Sequence, residues 1–190
     1  WGNQTVYFNN THVRTEEIDI VRLDLELINP QPLELARNES LSRRLIKCID
    51  HGFSSLLPDR CIVKNQFSKF SQVYKEIEKP EDFYLIAVDK CSGEVAGCLI
   101  AIPNLCDIWS GKTLSSCLHD SIVVGRKWRG TQLAKKLWFT VADRLRDRGI
   151  KDQINNYLWE QNEPVLRFQA PYSEFRQEMR VYNLSTYFSD

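Results

Sequence analysis

"IVVGRKWRGTQLAKKLWFTVADRLRDRG" occupies residues 122 to 149, and the way it divides decides the fold. Its first residues close a strand candidate, "SCLHDSIVV" at 116 to 124, and the β-branched run Ile122-Val123-Val124 suits extended backbone. Beyond it, Leu133, Leu137, Val141 and Leu145 recur every four residues, flanked by Ala134, Trp138 and Ala142. That spacing lays one apolar stripe along an amphipathic helix, which Gly149 ends. Between strand and helix lies a basic turn in which Arg126, Lys127 and Arg129 carry charge, Gly130 frees the backbone and Thr131 is a candidate cap. A helix start offers unpaired N–H groups and the positive end of the macrodipole, so an anion settles there. Lys135 and Lys136 oppose the dipole in the first turn, which an anionic partner would offset. The same residues also read as a solvated corner, since neither GxxxxGKS/T nor GxGxxG is present.

Upstream, "FYLIAV" at 83 to 88 and "EVAGCLIAIP" at 94 to 103 are strand candidates joined by a hairpin-sized turn containing Gly93. "EEIDIVRLDLEL" at 17 to 28 reads as a half-buried strand with a slip at Val21, broken by "NPQP". "SLSRRLIKCIDHGFSSLL" predicts a helix with Ser40 as its cap, and "FSKFSQVYKEIEKPEDF" a shorter second helix. "NLCDIWSGKTLS" reads as a loop. Downstream, "DQINNYLWEQNEP" holds a short strand, Pro164 opens a helix, and "EMRVYNLSTYF" returns to strand. Residues 1 to 16 read as a loose N-terminal arm, leaving 17 to 190 as one α/β domain. Its sheet must be mixed, because hairpins and a crossover helix both occur.

Composition bounds the function more loosely. A chain of 190 residues, 43% apolar, fills one core. Twenty-five basic against 25 acidic residues give no global case for nucleic acid or a membrane surface, and no apolar run approaches membrane-spanning length. Six cysteines without a CxxC, and only His12, His51 and His119 as imidazoles, argue against a metal site. Cys48 and Cys98 sit within apolar patterns, where a free thiol acts as a small hydrophobe, so a reducing, cytoplasmic setting is the expectation. The rival reading is a secreted domain with three disulfides and glycans at the sequons starting at Asn3, Asn9, Asn38 and Asn183.

The hairpin, the strand ending in "IVVGRKWRG" and the helix closing in "DRGI" together resemble the Gcn5-related N-acetyltransferase (GNAT) superfamily. Val124 matches that family's strand-end valine, Arg129-Gly130 its arginine–glycine pair and Ala134 its final small residue. Gln132 departs from the usual glycine and Arg126 from the usual proline. The resemblance implies a mixed sheet of about six to seven strands flanked by about four helices. It also implies acetyl-coenzyme A as co-substrate, with no metal. The diphosphate would lie on Arg129, Gly130, Thr131, Gln132, Leu133, Ala134 and Lys135. Pantetheine would run along Ile122, Val123 and Val124, with Asn162 as a further contact.

Direct transfer needs a base for an ammonium acceptor, a donor to the thioester carbonyl and an acid for the leaving thiolate. His119 and Asp120 are the candidate bases, a backbone N–H at or near Val124 the donor, and Tyr172 the candidate acid, with Tyr157 behind it. The expected acceptor is a primary amine, a small-molecule or arylalkylamine-type one met near "GFSSLLPDR", Phe67 and Trp109, with peptide N-termini and lysines left open. A homodimer is the expected assembly. The alternative is a degenerate GNAT-fold scaffold in which Gln132 obstructs the coenzyme.

Overall fold

In a computed structural model of the chain, the described residues are 2–9, 23–53, 74, 77–159 and 162–180. They build one seven-stranded mixed sheet with spatial order β2-β3-β4-β5-β6-β1-β7. Its strands are β1 (Gly2–Asn9), β2 (Leu25–Ile28), β3 (Tyr84–Asp89), β4 (Val95–Pro103), β5 (Ser116–Val124), β6 (Asp152–Trp159) and β7 (Ser173–Arg180). The helices are α1 (Pro32–Arg37), α2 (Glu39–Phe53), α3 (Leu105–Trp109), α4 (Leu133–Asp147) and α5 (Glu163–Gln169). Much of the second predicted helix, at 67 to 83, lies outside the described residues.

The predicted strand–turn–helix is present as read. Strand β5 has the bounds of "SCLHDSIVV", and α4 buries Leu133, Leu137, Trp138, Val141, Ala142 and Leu145. Those side chains meet Leu85, Ala96 and Leu99 of the β3–β4 hairpin in one hydrophobic core. Gly149 ends α4 with φ +79°, a conformation that costs glycine nothing. On the other sheet face α2 buries Leu41, Leu45, Cys48 and Ile49. Gly52 is where α2 crosses β5: a Cβ there would lie 2.3 Å from Val123 Cγ1. Helix and strand touch because that position has no side chain.

Three local readings are corrected. Gly2–Asn9, read as part of a loose arm, is a strand held antiparallel between β6 and β7. Its partners lie some 150 residues away, so no local signal announces it. Ser40 lies inside α2, and the Asn38 side chain accepts from Leu41 N–H (3.0 Å) in the capping role. The "NPQP" segment ends β2 as read, and its Pro32 opens the short α1, since a helix start needs no N–H there. "NLCDIWS" is a helical turn rather than a loop, capped by Asn104 Oδ1 accepting from Cys106 N–H at 3.2 Å.

Cys48, Cys91, Cys98, Cys106 and Cys117 are free thiols. Burial pushes the Cys48 thiol up to about 11 and raises Cys98 and Cys117 further, so none of these three is a nucleophile at neutral pH. Among the described residues no helix is long and apolar enough to cross a membrane, and no cluster of His, Cys, Asp or Glu forms a metal site.

Candidate active site

Strands β5 and β6 run parallel but pair only over Ser116–Leu118 against Asp152–Ile154. Beyond Leu118 they part, and β5 continues to Val124 paired only with β4. Gly125 N–H donates to Ala96 O on that side (2.8 Å). Alternation then turns the backbone groups of Ile122 and Val124 toward the gap where β6 has left. The gap opens into a cleft of about 610 Å³. All eleven residues that the sequence assigned to a coenzyme line it: Ile122, Val123, Val124, Arg129, Gly130, Thr131, Gln132, Leu133, Ala134, Lys135 and Asn162. Phe53, Val165 and Phe168 add an apolar wall, and no acidic residue is among the described lining.

The turn carries two left-handed residues. Gly130 adopts φ +81° and Gln132 φ +61°, ψ 4°, both left-handed. A left-handed residue beside a right-handed one can fold backbone N–H groups into a concavity that receives an anion, and Gly130 and Gln132 supply two left-handed positions just before α4. Gln132, the departure from the family pattern, therefore takes up the backbone that glycine would. The sequence reading feared its Cβ as an obstruction; the structure converts that into local strain. Thr131 is not the helix cap, because its hydroxyl donates to Trp128 O (2.5 Å) and knits the turn. Arg129 Nε donates to Val124 O (3.4 Å), which holds its guanidinium beside the cleft. Asn162 precedes α5 without capping it by its side chain, leaving the amide at the cleft wall.

Gln132→Gly should raise stability by about 1 kcal/mol, the left-handed cost of a residue with a Cβ, and leave coenzyme affinity equal or better. Denaturant melts and coenzyme titration of the pair check this. A loss of affinity above about 1 kcal/mol would show instead that the Gln132 amide holds the ligand.

The candidate bases part company at a β-bulge. Ile100 pairs with Ser121 but Ala101 with His119, so Asp120 is an extra residue in β5. Asp120 and Ser121 thereby share the face toward α2, as Val123 does, and His119 takes the α4 face. There His119 is 4% exposed and stacks on Trp138 at 6.1 Å, and neither ring nitrogen meets a partner among the described residues. Burial lowers its pKa to about 4. A neutral, sealed imidazole has no route to an acceptor, which removes the reason to expect a base there. Asp120 remains accessible and accepts from Ser121 Oγ (2.8 Å). The protein packed around it raises its carboxyl above the ordinary range, against the lowering effect of that hydroxyl.

The buried His119 has a consequence for stability. Unfolded, it takes a proton below its ordinary pKa of 6.5; folded, it resists until about 4. Stability is therefore undiminished above pH 6.5 and falls as pH drops toward 4, by on the order of 3 kcal/mol. Urea unfolding across that window should show the fall, and His119→Phe should remove this part of it. Identical pH curves for the two proteins would contradict the sealed environment.

Tyr172, the candidate acid, packs edge-on against Trp138 (5.5 Å) and Phe139 (5.2 Å) and is half-buried. The structure thus gathers His119 and Tyr172 around one indole, on the sheet face away from Asp120. Tyr157 lies on β6, its side chain outside the described residues, as is Phe67. Most of "GFSSLLPDR" is outside them too. Trp109 is 77% exposed on α3 and lines no part of the cleft.

Residues 51–169 match the acetyltransferase (GNAT) family. The fold is similar to that of a GCN5-related N-acetyltransferase from Sphaerobacter thermophilus, at 15% identity and a TM-score of 0.55 over 92% of this chain and 49% of that one. It is similar to an aminoglycoside acetyltransferase from an uncultured soil metagenomic sample, solved with trehalose, at 12% identity and a TM-score of 0.58, covering 86% and 96%. It is similar also to a chain of the NatC complex bound to Gag peptide and CoA, at 16% identity and 0.56, covering 78% and 84%. A search of curated proteins gave no match. The chain spans about half the length of the Sphaerobacter protein.

Proposed function

The chain belongs to the GNAT acetyltransferase family, and from that premise we propose that it is an N-acetyltransferase moving an acetyl group from acetyl-CoA to a primary amine. One observation carries the reading. The parting of β5 from β6 brings a strand edge unpaired by any neighbouring strand and a turn with two left-handed residues into a single cleft, with no acidic residue among its described lining. The residues fit the coenzyme's chemistry. Backbone N–H groups from Gly130 to Ala134, at the start of the 15-residue α4, suit a diphosphate, and Arg129 and Lys135 supply counter-charge. The Ile122 and Val124 edge suits the amide groups of pantetheine by strand-like pairing, with Asn162 opposite.

When bound, the coenzyme supplies the activated acyl group; the protein orients it and moves a proton. Asp120 accepts a proton from the ammonium acceptor, directly or through a water, and frees the nitrogen lone pair. The nitrogen bonds to the acyl carbon as the carbon–sulfur bond breaks; the nitrogen then gives its second proton to solvent, which leaves a neutral amide, and the departing thiolate takes a proton from solvent. A backbone N–H of β5 at the open edge polarises the carbonyl. His119 and Tyr172 brace the far side of the sheet through Trp138. The acceptor class proposed is a small-molecule arylalkylamine-type amine, on the support of the apolar wall of Phe53, Val165 and Phe168. The cellular setting proposed is the cytoplasm, supported by the free thiols, and the assembly a homodimer.

The first test is a melting curve with and without saturating acetyl-CoA. At a hundredfold excess over Kd the ligand adds ~2.7 kcal/mol, roughly 5–10 °C for a domain of this size. Desulfo-CoA should match it and ATP should not. No shift with either coenzyme form would favour a scaffold without catalysis. The retained left-handed turn at Gln132 speaks against that outcome.

A further inference from the structure

A second pocket, of about 490 Å³, lies on the α2 side of the phosphate turn, sharing only Gly52, Val124, Trp128 and Arg129 with the coenzyme cleft. Cations enter it from two elements: Arg44 and Lys47 from α2, where His51 also lines the wall, and Arg126, Lys127 and Arg129 from the turn. Glu94 is the one carboxylate among its described lining residues, and it is taken by Lys127 at 2.6 Å. Two guanidiniums are fixed rather than free to spread. Arg44 donates to the Gly93 carbonyl and Arg129 to that of Val124. Lys47 and Arg126 have no ion-pair partner among the described residues.

A solvated basic rim relieves repulsion by letting long side chains diverge into water. Here backbone carbonyls tether cations so that like charges converge on a concave space, whose walls include the Trp128 ring packed over Gly125. Converging, pre-positioned guanidinium and ammonium groups are the recognition chemistry of phosphate. Coenzyme binding in the neighbouring cleft does not account for Arg44, Lys47 or His51, which line none of it.

We propose that this pocket is a separate site for a free small polyanion of the phosphate-ester class, occupied alongside the coenzyme. The sites share Arg129 and the Trp128 wall, so filling one alters affinity at the other through the turn.

The test titrates inorganic pyrophosphate calorimetrically into the protein saturated with desulfo-CoA, at low and at physiological salt. One equivalent should bind, more weakly as salt rises. Lys47→Glu should weaken it at least tenfold, Lys47→Ala by a smaller factor, with desulfo-CoA affinity held within about threefold and an unchanged circular dichroism spectrum. Three results would overturn the proposal. In the first, pyrophosphate binds when 3′-dephospho-desulfo-CoA fills the cleft but not when desulfo-CoA does, so the pocket takes the coenzyme's own ribose phosphate. In the second, both coenzyme forms exclude pyrophosphate, so the anion sees only the diphosphate cradle. In the third, pyrophosphate fails to bind or ignores Lys47. The pocket does not depend on the acetyl-transfer reading: without coenzyme, a Lys47-dependent isotherm is still expected.

Discussion

Asp120→Asn should lower kcat by 10²- to 10⁴-fold, the usual worth of a positioned general base, with desulfo-CoA affinity unchanged. The amide keeps the carboxylate's shape and its contact with Ser121, so a structural role alone would leave the rate nearly intact. The pH profile separates the two. Asp120 ionises above the ordinary carboxylate range, so wild-type kcat/KM should fall as pH drops through that raised value. The variant's profile should lose that limb. His119→Phe is the matched control, one residue away on the opposite sheet face. It should alter the stability curve while kcat stays within a few-fold. A large rate loss from His119→Phe with little from Asp120→Asn would return the base to the imidazole and refute the assignment made from the bulge.

That choice could not be made from the sequence, and the reason is physical. Alternation says that adjacent residues of a strand face opposite ways, so His119 and Asp120 cannot both reach one site. Which of them does depends on where β5 stands against β4. The bulge that sets this is a property of two paired strands and leaves no mark within "SCLHDSIVV". What was legible was local. The four-residue stripe of α4, the β-branched end of β5 and the glycine between them specify a strand–turn–helix whatever surrounds it. The eleven cleft residues came from the family resemblance that this unit carries; ten lie in or beside it and one, Asn162, near the next helix start.

Gln132 shows the opposite failure. A glutamine at a glycine position read as a reason to doubt the cradle, because propensity disfavours its backbone there. The chain on either side overrules that preference. Trp128 packed on Gly125, the Thr131 hydroxyl on Trp128 O and Leu133 in the core pin the turn from both ends. A strain of about 1 kcal/mol is small beside those contacts. The second basic pocket was half visible, since the run from Arg126 to Arg129 stood out in the sequence. Its other half, on α2, is brought there only by the crossing at Gly52.

The second large effect belongs to Trp138. It is fully buried on α4, and its ring meets His119, Phe139, Phe168 and Tyr172 at centroid distances between 5.2 and 6.1 Å. Its indole N–H donates to Gln153 Oε1 at 2.7 Å, tying α4 to β6 below the point where the sheet opens. Trp138→Ala removes a large apolar volume and orphans a buried amide whose nitrogen already lacks a partner among the described residues. The expected cost is about 4–5 kcal/mol, or roughly 8–20 °C in Tm for a domain of this length. Trp138→Phe keeps most of the packing and loses only the N–H, so about 1–3 kcal/mol should go. Phe168, which Trp138 supports, also lines the proposed coenzyme cleft. Below its melting point the alanine variant should therefore show a raised KM for acetyl-CoA, while kcat falls far less, because the proposed base, Asp120, lies on the other face. If Trp138→Phe were as damaging as Trp138→Ala, the hydrogen bond to Gln153 would dominate, and the splayed strands would owe their position to that tie more than to the aromatic cluster.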